Sequence, residues 1–134
     1  MEKEEFVRIT LNSVIVRDQE HALRFYTEVL GFIKKTEIPV GDYNWLTVVS
    51  PDETDGPQLV LEPNAHPASA AYQKALFETG TPLTSFAVDD FQGEFERLKA
   101  LGVKFTMEPT DVGTAIIAVF DDTCGNFIQI YQES

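Results

Sequence analysis

The chain has 134 residues and a mass of 15.0 kDa, which leaves room for one domain with a substantial hydrophobic core but not for two. Its formal net charge of -12 opposes binding to nucleic acids and anionic membranes, because their phosphates would repel it. Cys124 is the only cysteine, so an intrachain disulfide and a cysteine-based zinc cluster are excluded.

The first half of the chain reads as a strand, a helix and three strands. Residues 1–5 are mostly charged and offer no apolar stretch suited to export or membrane spanning, so we expect a cytoplasmic protein. Apolar and polar residues alternate over residues 6–16, which predicts a strand. Asp18 is a good helix N-cap, and an apolar face then recurs at helical spacing up to Gly31, a typical helix end. The further strands are predicted at 32–38, 45–50 and 58–62.

A connector helix is predicted over residues 68–77, after Pro67 and before Gly80. The pattern of the first half then begins again at Leu83. It predicts a strand over 83–88, a cap at Asp89 or Asp90, and a helix that ends at Gly102. The last strands are predicted at 103–107, 114–120 and 127–131.

This recurrence is an internal repeat with a spacing of roughly 70 residues. Val16-Arg17-Asp18 corresponds to Val88-Asp89-Asp90, and the closing strand Leu59-Val60-Leu61 corresponds to Ile128-Gln129-Ile130. A half of this kind would expose both edges of its sheet, and pairing two halves solves that problem. We therefore expect an α+β fold in which two βαβββ repeats form a curved, partly open mixed sheet with a cleft. The expected domain spans 1–134, with repeat one at about 6–62, the connector helix at about 66–79 and repeat two at about 83–132.

Two motifs resemble a known family, and the resemblance covers nearly the whole chain. Residues 25–32 are similar to the Phe-Tyr-x-x-x-Leu-Gly-Phe signature of the vicinal oxygen chelate (VOC) superfamily. Residues 120–130 resemble its closing Asp-Pro-Asp-Gly-Asn turn and strand, with Thr123 and Cys124 in place of Pro and Asp. The superfamily includes glyoxalase I, extradiol dioxygenases, methylmalonyl-CoA epimerase and the bleomycin and fosfomycin resistance proteins. The resemblance implies the fold more strongly than it implies a reaction.

Metal-dependent members of that superfamily hold one divalent ion with four His, Glu or Gln side chains, from the first and last strand of each half. The resemblance places these positions at Leu11, Val60, Leu83 and Gln129. An aliphatic side chain has no lone pair for a metal ion, so the usual site is expected to be absent. A one-residue slip would exchange the two faces of each strand. The slipped positions again include no His or carboxylate pair: Asn12, Leu59 or Leu61, Thr84, and Ile128 or Ile130.

Few other residues point to catalysis. Glu62 shares a strand face with Val60, and a partly desolvated carboxylate at the rim of the cleft could act as a base, although a solvated strand end is the alternative. Glu62 and His66 have a spacing that could bind a metal, but Pro63 breaks the helix that this would need, and His66 is expected to cap or flank the connector helix. His21 is expected at the surface. Cys124 is expected to be a passive thiol, because nearby carboxylates would raise its pKa.

Strand alternation from the aligned positions predicts which side chains face the cleft. They are Ser13, Trp45, Gln58, Ser85, Phe127, Gln129 and Tyr131. Core packing is the alternative for Trp45 and Phe127. The set is mostly apolar with a few hydrogen-bonding groups, which is typical of a pocket for an organic ligand.

Two hypotheses follow for the function. The first is a glyoxalase-like or bleomycin-resistance-like VOC protein that binds a small organic ligand without the usual metal, with no other cofactor expected. The second is an enzyme of the same fold: a lyase, isomerase or dioxygenase-type protein with a relocated divalent metal, or with Glu62 as the base. The resemblance also implies a homodimer, because relatives often complete the cleft with a neighbouring chain.

Overall fold

The computed structural model describes residues 6–134 as two four-stranded sheets and three helices. The strands of the first sheet are β1 (Leu11–Val16), β2 (Ile33–Val40), β3 (Tyr43–Val49) and β4 (Gln58–Pro63). Those of the second are β5 (Pro82–Ala87), β6 (Phe105–Asp111), β7 (Ala115–Asp121) and β8 (Phe127–Glu133). The helices are α1 (Gln19–Arg24), α2 (Pro67–Glu78) and α3 (Phe91–Ala100).

Both sheets have the same topology, which confirms the predicted fold of two βαβββ repeats. The strand orders are β1-β4-β3-β2 and β5-β8-β7-β6. In each sheet the first and last strands of the repeat run parallel, and the other neighbours are antiparallel. The observed strands and connector helix follow the order of the predicted units. We propose that they form the single domain expected over residues 1–134.

The predicted helix caps are present. The Asp18 carboxylate accepts a hydrogen bond from the His21 backbone N–H at 3.0 Å, and Asp90 accepts from Gly93 at 3.1 Å. His66 caps the connector helix α2, because its Nδ1 accepts from the Ala68 N–H at 3.0 Å. Each cap satisfies one of the backbone donors left free at the first turn of a helix.

The first helix changes its winding where the VOC-like motif begins. After Arg24 it continues as a π-helical turn over Phe25–Val29, closed by a 3.1 Å bond from the Leu30 N–H to the Phe25 carbonyl. The adjacent residues Phe25 and Tyr26 of this turn are both buried. Sequence periodicity had predicted an uninterrupted helix up to Gly31.

The first strand is shorter than predicted, because residues 6–10 are not part of it. The Thr10 carbonyl still accepts from the Gln58 N–H at 2.8 Å. In a parallel pair alternate residues bond to the same neighbour, so the next donor would be the Gly56 N–H, which instead bonds to the Glu53 carbonyl at 2.9 Å. Residues 6–10 alternate between apolar and polar side chains, but they have no neighbouring strand to pair with at this end of the sheet.

One core joins the two sheets. It includes Val14 and Leu61 from the first sheet and Ile128 and Ile130 from the second, all buried. An aromatic side chain of the π-helical turn in the first repeat packs against the second repeat: the ring centroids of Tyr26 and Phe86 are 6.5 Å apart. No helix within residues 6–134 is long and apolar enough to cross a membrane.

A buried polar network fastens the connector helix to both repeats. The Gln73 Nε2 lies 3.0 Å from the Ile15 carbonyl, 3.1 Å from the Cys124 carbonyl and 3.1 Å from the Asn126 Oδ1. The Gln73 Oε1 accepts from the Asn64 amide at 3.0 Å. Since Gln73 is almost fully buried, these bonds replace the water that its amide gives up on folding.

Candidate ligand-binding site

Each sheet has one face in the shared core and one open face. On the open face of the first sheet, strand pairing places four residues side by side in one row across the strands: Ser13, Val60, Thr47 and Thr36. In the second sheet the corresponding row joins Ser85, Gln129, Val119 and Met107. The alternate residues, such as Val14 and Ile130, lie in the core. The open faces are where a ligand could reach the exposed members of these rows, such as Ser13 and Ser85, whereas Val60, Thr47 and Val119 in the middle are buried.

The open face of the first sheet is largely apolar. Trp45 is 40% exposed there, and other large apolar side chains share this face on β1, β2 and β3. These are Leu11, Ile33, Ile38, Val40 and Tyr43, all exposed. Polar groups on this face are Ser13, which is exposed, and Gln58, whose Oε1 accepts from the Thr47 hydroxyl at 2.7 Å. Glu62 lies exposed at the far end of β4.

The open face of the second sheet combines amide, hydroxyl and aromatic groups. The Gln129 amide donates to the Ser85 hydroxyl at 3.0 Å. Phe127 is half-buried, and its ring stacks on that of Phe77 from the connector helix, with centroids 4.4 Å apart and planes 5° from parallel. Tyr131 is half-buried on the same strand.

Two cavities border the predicted residues. One of about 380 Å³ lies between the repeats and includes Gln58 and Ser85 in its lining, together with the aromatic pair Phe32 and Phe86. The other, of about 310 Å³, lies beside the loop that precedes β5 and includes Phe127 and Gln129. Ser13, Trp45, Tyr131 and Glu62 border neither of them. Within one chain, the predicted cleft residues are thus spread over two open faces rather than gathered in one cavity.

The four positions that the resemblance assigns to a metal ion are not equivalent in this chain. Leu11 and Val60 both belong to the open face, but Leu11 is exposed there and Val60 is buried. Leu83 falls in the irregularity between Pro82 and Thr84, and it is half-buried against the core. Gln129 is the single member with lone pairs, and its amide is bonded to Ser85. These side chains do not fit a divalent ion.

Elsewhere, no group of three or more His, Cys, Asp or Glu side chains in residues 6–134 is arranged to hold a metal ion. His66 is occupied in its capping bond, and the exposed His21 lies 2.9 Å from the Thr123 hydroxyl. Cys124 is buried, and burial, followed by the charge of Asp122, raises the pKa of its thiol far above the usual value. A thiol in this environment stays protonated and unreactive at neutral pH.

Sequence reasoning missed several residues of these surfaces. Phe77 was assigned to the connector helix, and helical periodicity carried no signal that its ring stacks on Phe127. Ile38, Val40 and Tyr43 could have been found, because they alternate in step with Trp45 across the β2–β3 pair. The Phe32–Phe86 contact, with centroids 5.3 Å apart, joins different repeats and could not have been found by alternation.

A duplicated βαβββ unit, with one face of each sheet in a common core and the other face open, is the architecture of proteins built from two paired βαβββ modules. The chain belongs to the Glyoxalase/Bleomycin resistance protein/Dioxygenase superfamily, whose sequence pattern matches residues 6–130.

Similar proteins support this membership along almost the full chain. YurT of Bacillus subtilis is 57% identical over 127 residues, which is 95% of this chain and 100% of YurT. A Vibrio parahaemolyticus protein named "Probable lactoylglutathione lyase" is 30% identical and covers 93% of this chain and 90% of its own. The crystal structure of TnmS3, described as an antibiotic binding protein from a Streptomyces species, matches with a TM-score of 0.77 and 28% identity, over 98% of this chain and 100% of TnmS3.

Proposed function

We propose that this protein binds a small organic molecule on its open sheet faces, without the divalent ion that metal-dependent superfamily members use. The observation that carries the proposal is that Leu11 and Val60 lie on the open face of the first sheet, at two positions that the resemblance assigns to metal ligands. The remaining groups are those of a recognition surface: aromatic and aliphatic side chains with an amide and hydroxyls, among them Ser13, Ser85 and Gln129. The similarity to the antibiotic-binding TnmS3 supports the same function.

We further propose that two chains assemble so that an open face of one meets an open face of the other. In one chain these faces leave large apolar side chains such as Ile38 and Val40 in water. Exposed apolar areas of this kind mark surfaces that bind a partner or a ligand. A homodimer would gather the predicted residues of both sheets into one cleft. The expected cytoplasmic location stays a prediction.

The second candidate is an enzyme of the same fold, either a lyase or isomerase with Glu62 as base, or a metalloenzyme with relocated ligands. The relative named as a lactoylglutathione lyase favours it. Glu62 lies on the open face, as this candidate requires, but its carboxylate is exposed rather than partly desolvated. A base at this site would act on a proton of the bound ligand. Catalysis would then depend on Glu62, whereas simple binding would not require its carboxylate.

The experiment that tests the proposal uses Trp45, the only tryptophan of the chain, as a reporter on the open face. Dicarbonyl, aromatic and antibiotic compounds are screened by thermal shift, because a ligand of the native state raises the melting temperature. Hits are then titrated while the Trp45 emission is recorded, and the purified protein is analysed for bound metal. We expect ligand-dependent changes in emission and less than stoichiometric metal.

A matched pair of variants separates the two candidates. Gln129→Leu removes the remaining lone pairs at the family's metal positions, and Gln92→Leu makes the same change on the exposed surface of α3. We expect Gln129→Leu to weaken ligand binding and to leave the metal content unchanged, while Gln92→Leu changes neither. One bound ion per chain that is needed for turnover and is lost in Gln129→Leu would overturn the metal-free proposal.

A further inference from the structure

We infer that the cavity of about 380 Å³ between the repeats is a second binding site, and that it takes a small, uncharged aromatic molecule with a carboxamide group. The site lies at the free edge of β5, on the core side of the first sheet, and is separate from the open faces. It therefore goes beyond the proposed function and does not depend on it. The internal repeat carries the assignment, because it makes this cavity the counterpart of the place where the Gln73 carboxamide is bound.

The strands β1 and β5 each have an edge without a neighbouring strand, because both are outer strands of their sheets. In a parallel pair alternate residues bond to the same neighbour. The Val88 N–H bonds to the Tyr131 carbonyl of β8 at 2.9 Å, so the backbone groups of the preceding Ala87 point away from β8. Val16 corresponds to Val88 in the repeat, and the residue of β1 that corresponds to Ala87 is therefore Ile15.

The edge of β1 at Ile15 is closed by two side-chain amides. The Ile15 carbonyl accepts from the Gln73 Nε2 at 3.0 Å and from the Asn126 Nδ2 at 2.7 Å. Gln73 comes from the connector helix, Asn126 comes from the turn before β8, and both are buried. The Gln73 Oε1 in turn accepts from the Asn64 amide at 3.0 Å. At this edge a carboxamide is therefore bound through both its N–H and its oxygen.

The corresponding place on the edge of β5 is the cavity. Ala87 lines it, and so does Pro57, which the repeat places where the other edge has Asn126. A proline has no N–H and no side-chain donor. Among residues 6–134, no side chain donates to the Ala87 carbonyl, whereas the Ile15 carbonyl has two such donors. The Ala87 carbonyl is therefore the acceptor that the N–H of a bound carboxamide would satisfy.

The cavity lies on the core side of the first sheet. Asn12, Leu59 and Val48 line it and are paired side by side across β1, β4 and β3. This row alternates with the open-face row that contains Ser13 and Val60. Successive side chains of a strand point to opposite faces, so a ligand held against the Asn12 row lies behind the first sheet as seen from its open face.

The walls of the cavity suit an uncharged ring. The Phe32 and Phe86 rings, with centroids 5.3 Å apart, and the aliphatic Val48 and Leu59 give it an apolar side. None of its lining residues carries a charge, so an ion would lose its hydration without gaining a partner. Asn12 supplies amide hydrogens for the oxygen of a ligand's carboxamide. The cavity volume lies within the range of sites for small organic molecules.

The test compares three molecules of nearly the same shape: benzamide, acetophenone and benzoate. Each is titrated into the full isotope-labelled chain and followed by NMR, which detects weak binding. We expect benzamide to bind about five- to tenfold more tightly than acetophenone, because the ketone leaves the Ala87 carbonyl without a donor. Benzoate should bind most weakly, since no cationic side chain lines the cavity. Equal binding of benzamide and acetophenone would overturn the carboxamide assignment.

The NMR peaks also locate the ligand. We expect benzamide to shift the backbone N–H peak of Ala87 and the side-chain amide peaks of Asn12. The indole N–H peak of Trp45, the only tryptophan and a residue of the open face, should stay in place. A shift of the Trp45 peak without a shift at Ala87 would place the aromatic ligand on the open face and overturn the second site.

A matched pair of proline variants tests the correspondence between the repeats. Pro57→Asn gives the edge of β5 the amide that Asn126 gives the edge of β1. We expect the new side chain to bond to the Ala87 carbonyl and to weaken benzamide binding by about fivefold or more. Pro51→Asn is the control, because Pro51 is exposed in the same loop and does not line the cavity. Equal effects of the two variants, or an unchanged affinity in Pro57→Asn, would contradict the inference.

The outcomes keep this site apart from the proposed function. If benzamide does not bind, or binds only at the open face, the second site fails, while the thermal-shift screen still decides whether the open faces bind a ligand. If the screen finds no ligand but benzamide shifts the Ala87 peak, the proposed function fails and the second site stands. Should Pro57→Asn not fold, the comparison of benzamide with acetophenone decides the inference by itself.

Discussion

Asp122 is a buried carboxylate whose role is structural. It accepts hydrogen bonds from the Tyr26 hydroxyl at 2.6 Å, the Cys124 N–H at 2.7 Å, the Asn126 N–H at 3.0 Å and the Asn126 amide at 2.9 Å. Burial nevertheless raises the pKa of the Asp122 carboxyl above its usual value, with the Tyr26 and Asn126 bonds opposing the rise. Burial, and then the Asp122 charge, raise the pKa of the Tyr26 phenol. Tyr26 and Asp122 lie where the two repeats pack together, so we attribute their pKa shifts to this buried contact and not to catalysis.

Replacing Tyr26 by Phe should destabilise the protein by about 1–3 kcal/mol, because the buried Asp122 carboxylate loses one of its donors. The loss should be smaller in acid, since protonation of Asp122 removes the charge that the hydroxyl stabilises. Urea unfolding at several pH values measures both effects. Tyr72→Phe, at a side chain 54% exposed on α2, is the control and should cost almost nothing. A Tyr26→Phe penalty as small as that of the control would contradict this role.

At the scale of elements, the connector helix does more than link the repeats. The Gln73 amide donates to Ile15 near the end of β1 and to Asn126 in the turn before β8. These two residues are 58 and 53 positions away from Gln73 in the sequence. The sequence predicted α2 as a partly exposed helix, and most of its residues are exposed, but the buried Gln73 was not singled out. Helical periodicity predicts apolar contacts, whereas this docking depends on one amide and on carbonyls of distant strands.

The glycine in that turn provides a test of the docking. Gly125 has φ +102, and a Cβ placed there would lie 2.7 Å from the Gln73 Nε2. Gly113 has a similar φ of +96 and nothing within 4 Å of such a Cβ. We expect Gly113→Ala to cost about 1–2 kcal/mol from backbone strain, and Gly125→Ala to cost about 1–3 kcal/mol more from the clash.

Urea unfolding of the two variants measures this difference directly. Equal losses would show that the connector helix moves away from the turn without cost, and that the Gln73 bonds add little to stability.

At the scale of the whole molecule, the two repeats share one core and leave their other faces open. The contacts between Phe25 and Phe120, with centroids 6.3 Å apart, and between Tyr26 and Phe86 show that the first repeat packs on the second sheet. The open faces then remain for a ligand and a second copy of the chain. This division accounts for large apolar residues that are exposed on strands although the protein has a well-packed core.

We expect the protein to sediment as a dimer at micromolar concentration. Ile38→Glu should shift it towards the monomer, because a charge would be buried in the contact between open faces. Tyr72→Glu is a matched control, since Tyr72 is 54% exposed and Ile38 is 53% exposed, but Tyr72 lies on α2. Sedimentation velocity measures the outcome. A wild-type monomer at high micromolar concentration, or equal effects of both variants, would contradict the proposed assembly.

The sequence by itself determined the repeat and the order of its elements, and it predicted aliphatic residues at positions that the resemblance assigns to metal ligands. These features depend on local periodicity, on caps such as Asp18 and on motifs of adjacent residues, all of which lie within one element or one turn. Alternation also predicted which residues share a strand face. The predicted start of β1 was wrong because a strand depends on its partner, and the donor that would extend the pairing, the Gly56 N–H, bonds to Glu53 instead.

Only the tertiary structure decided how the repeats join and what lies beside the open faces. The Gln73 network, the stacking of Phe77 on Phe127 and the burial of Asp122 each bring together groups far apart in sequence. Alternation separates two faces of a strand, but it does not say which face meets the core, because that choice depends on what the rest of the chain packs against it.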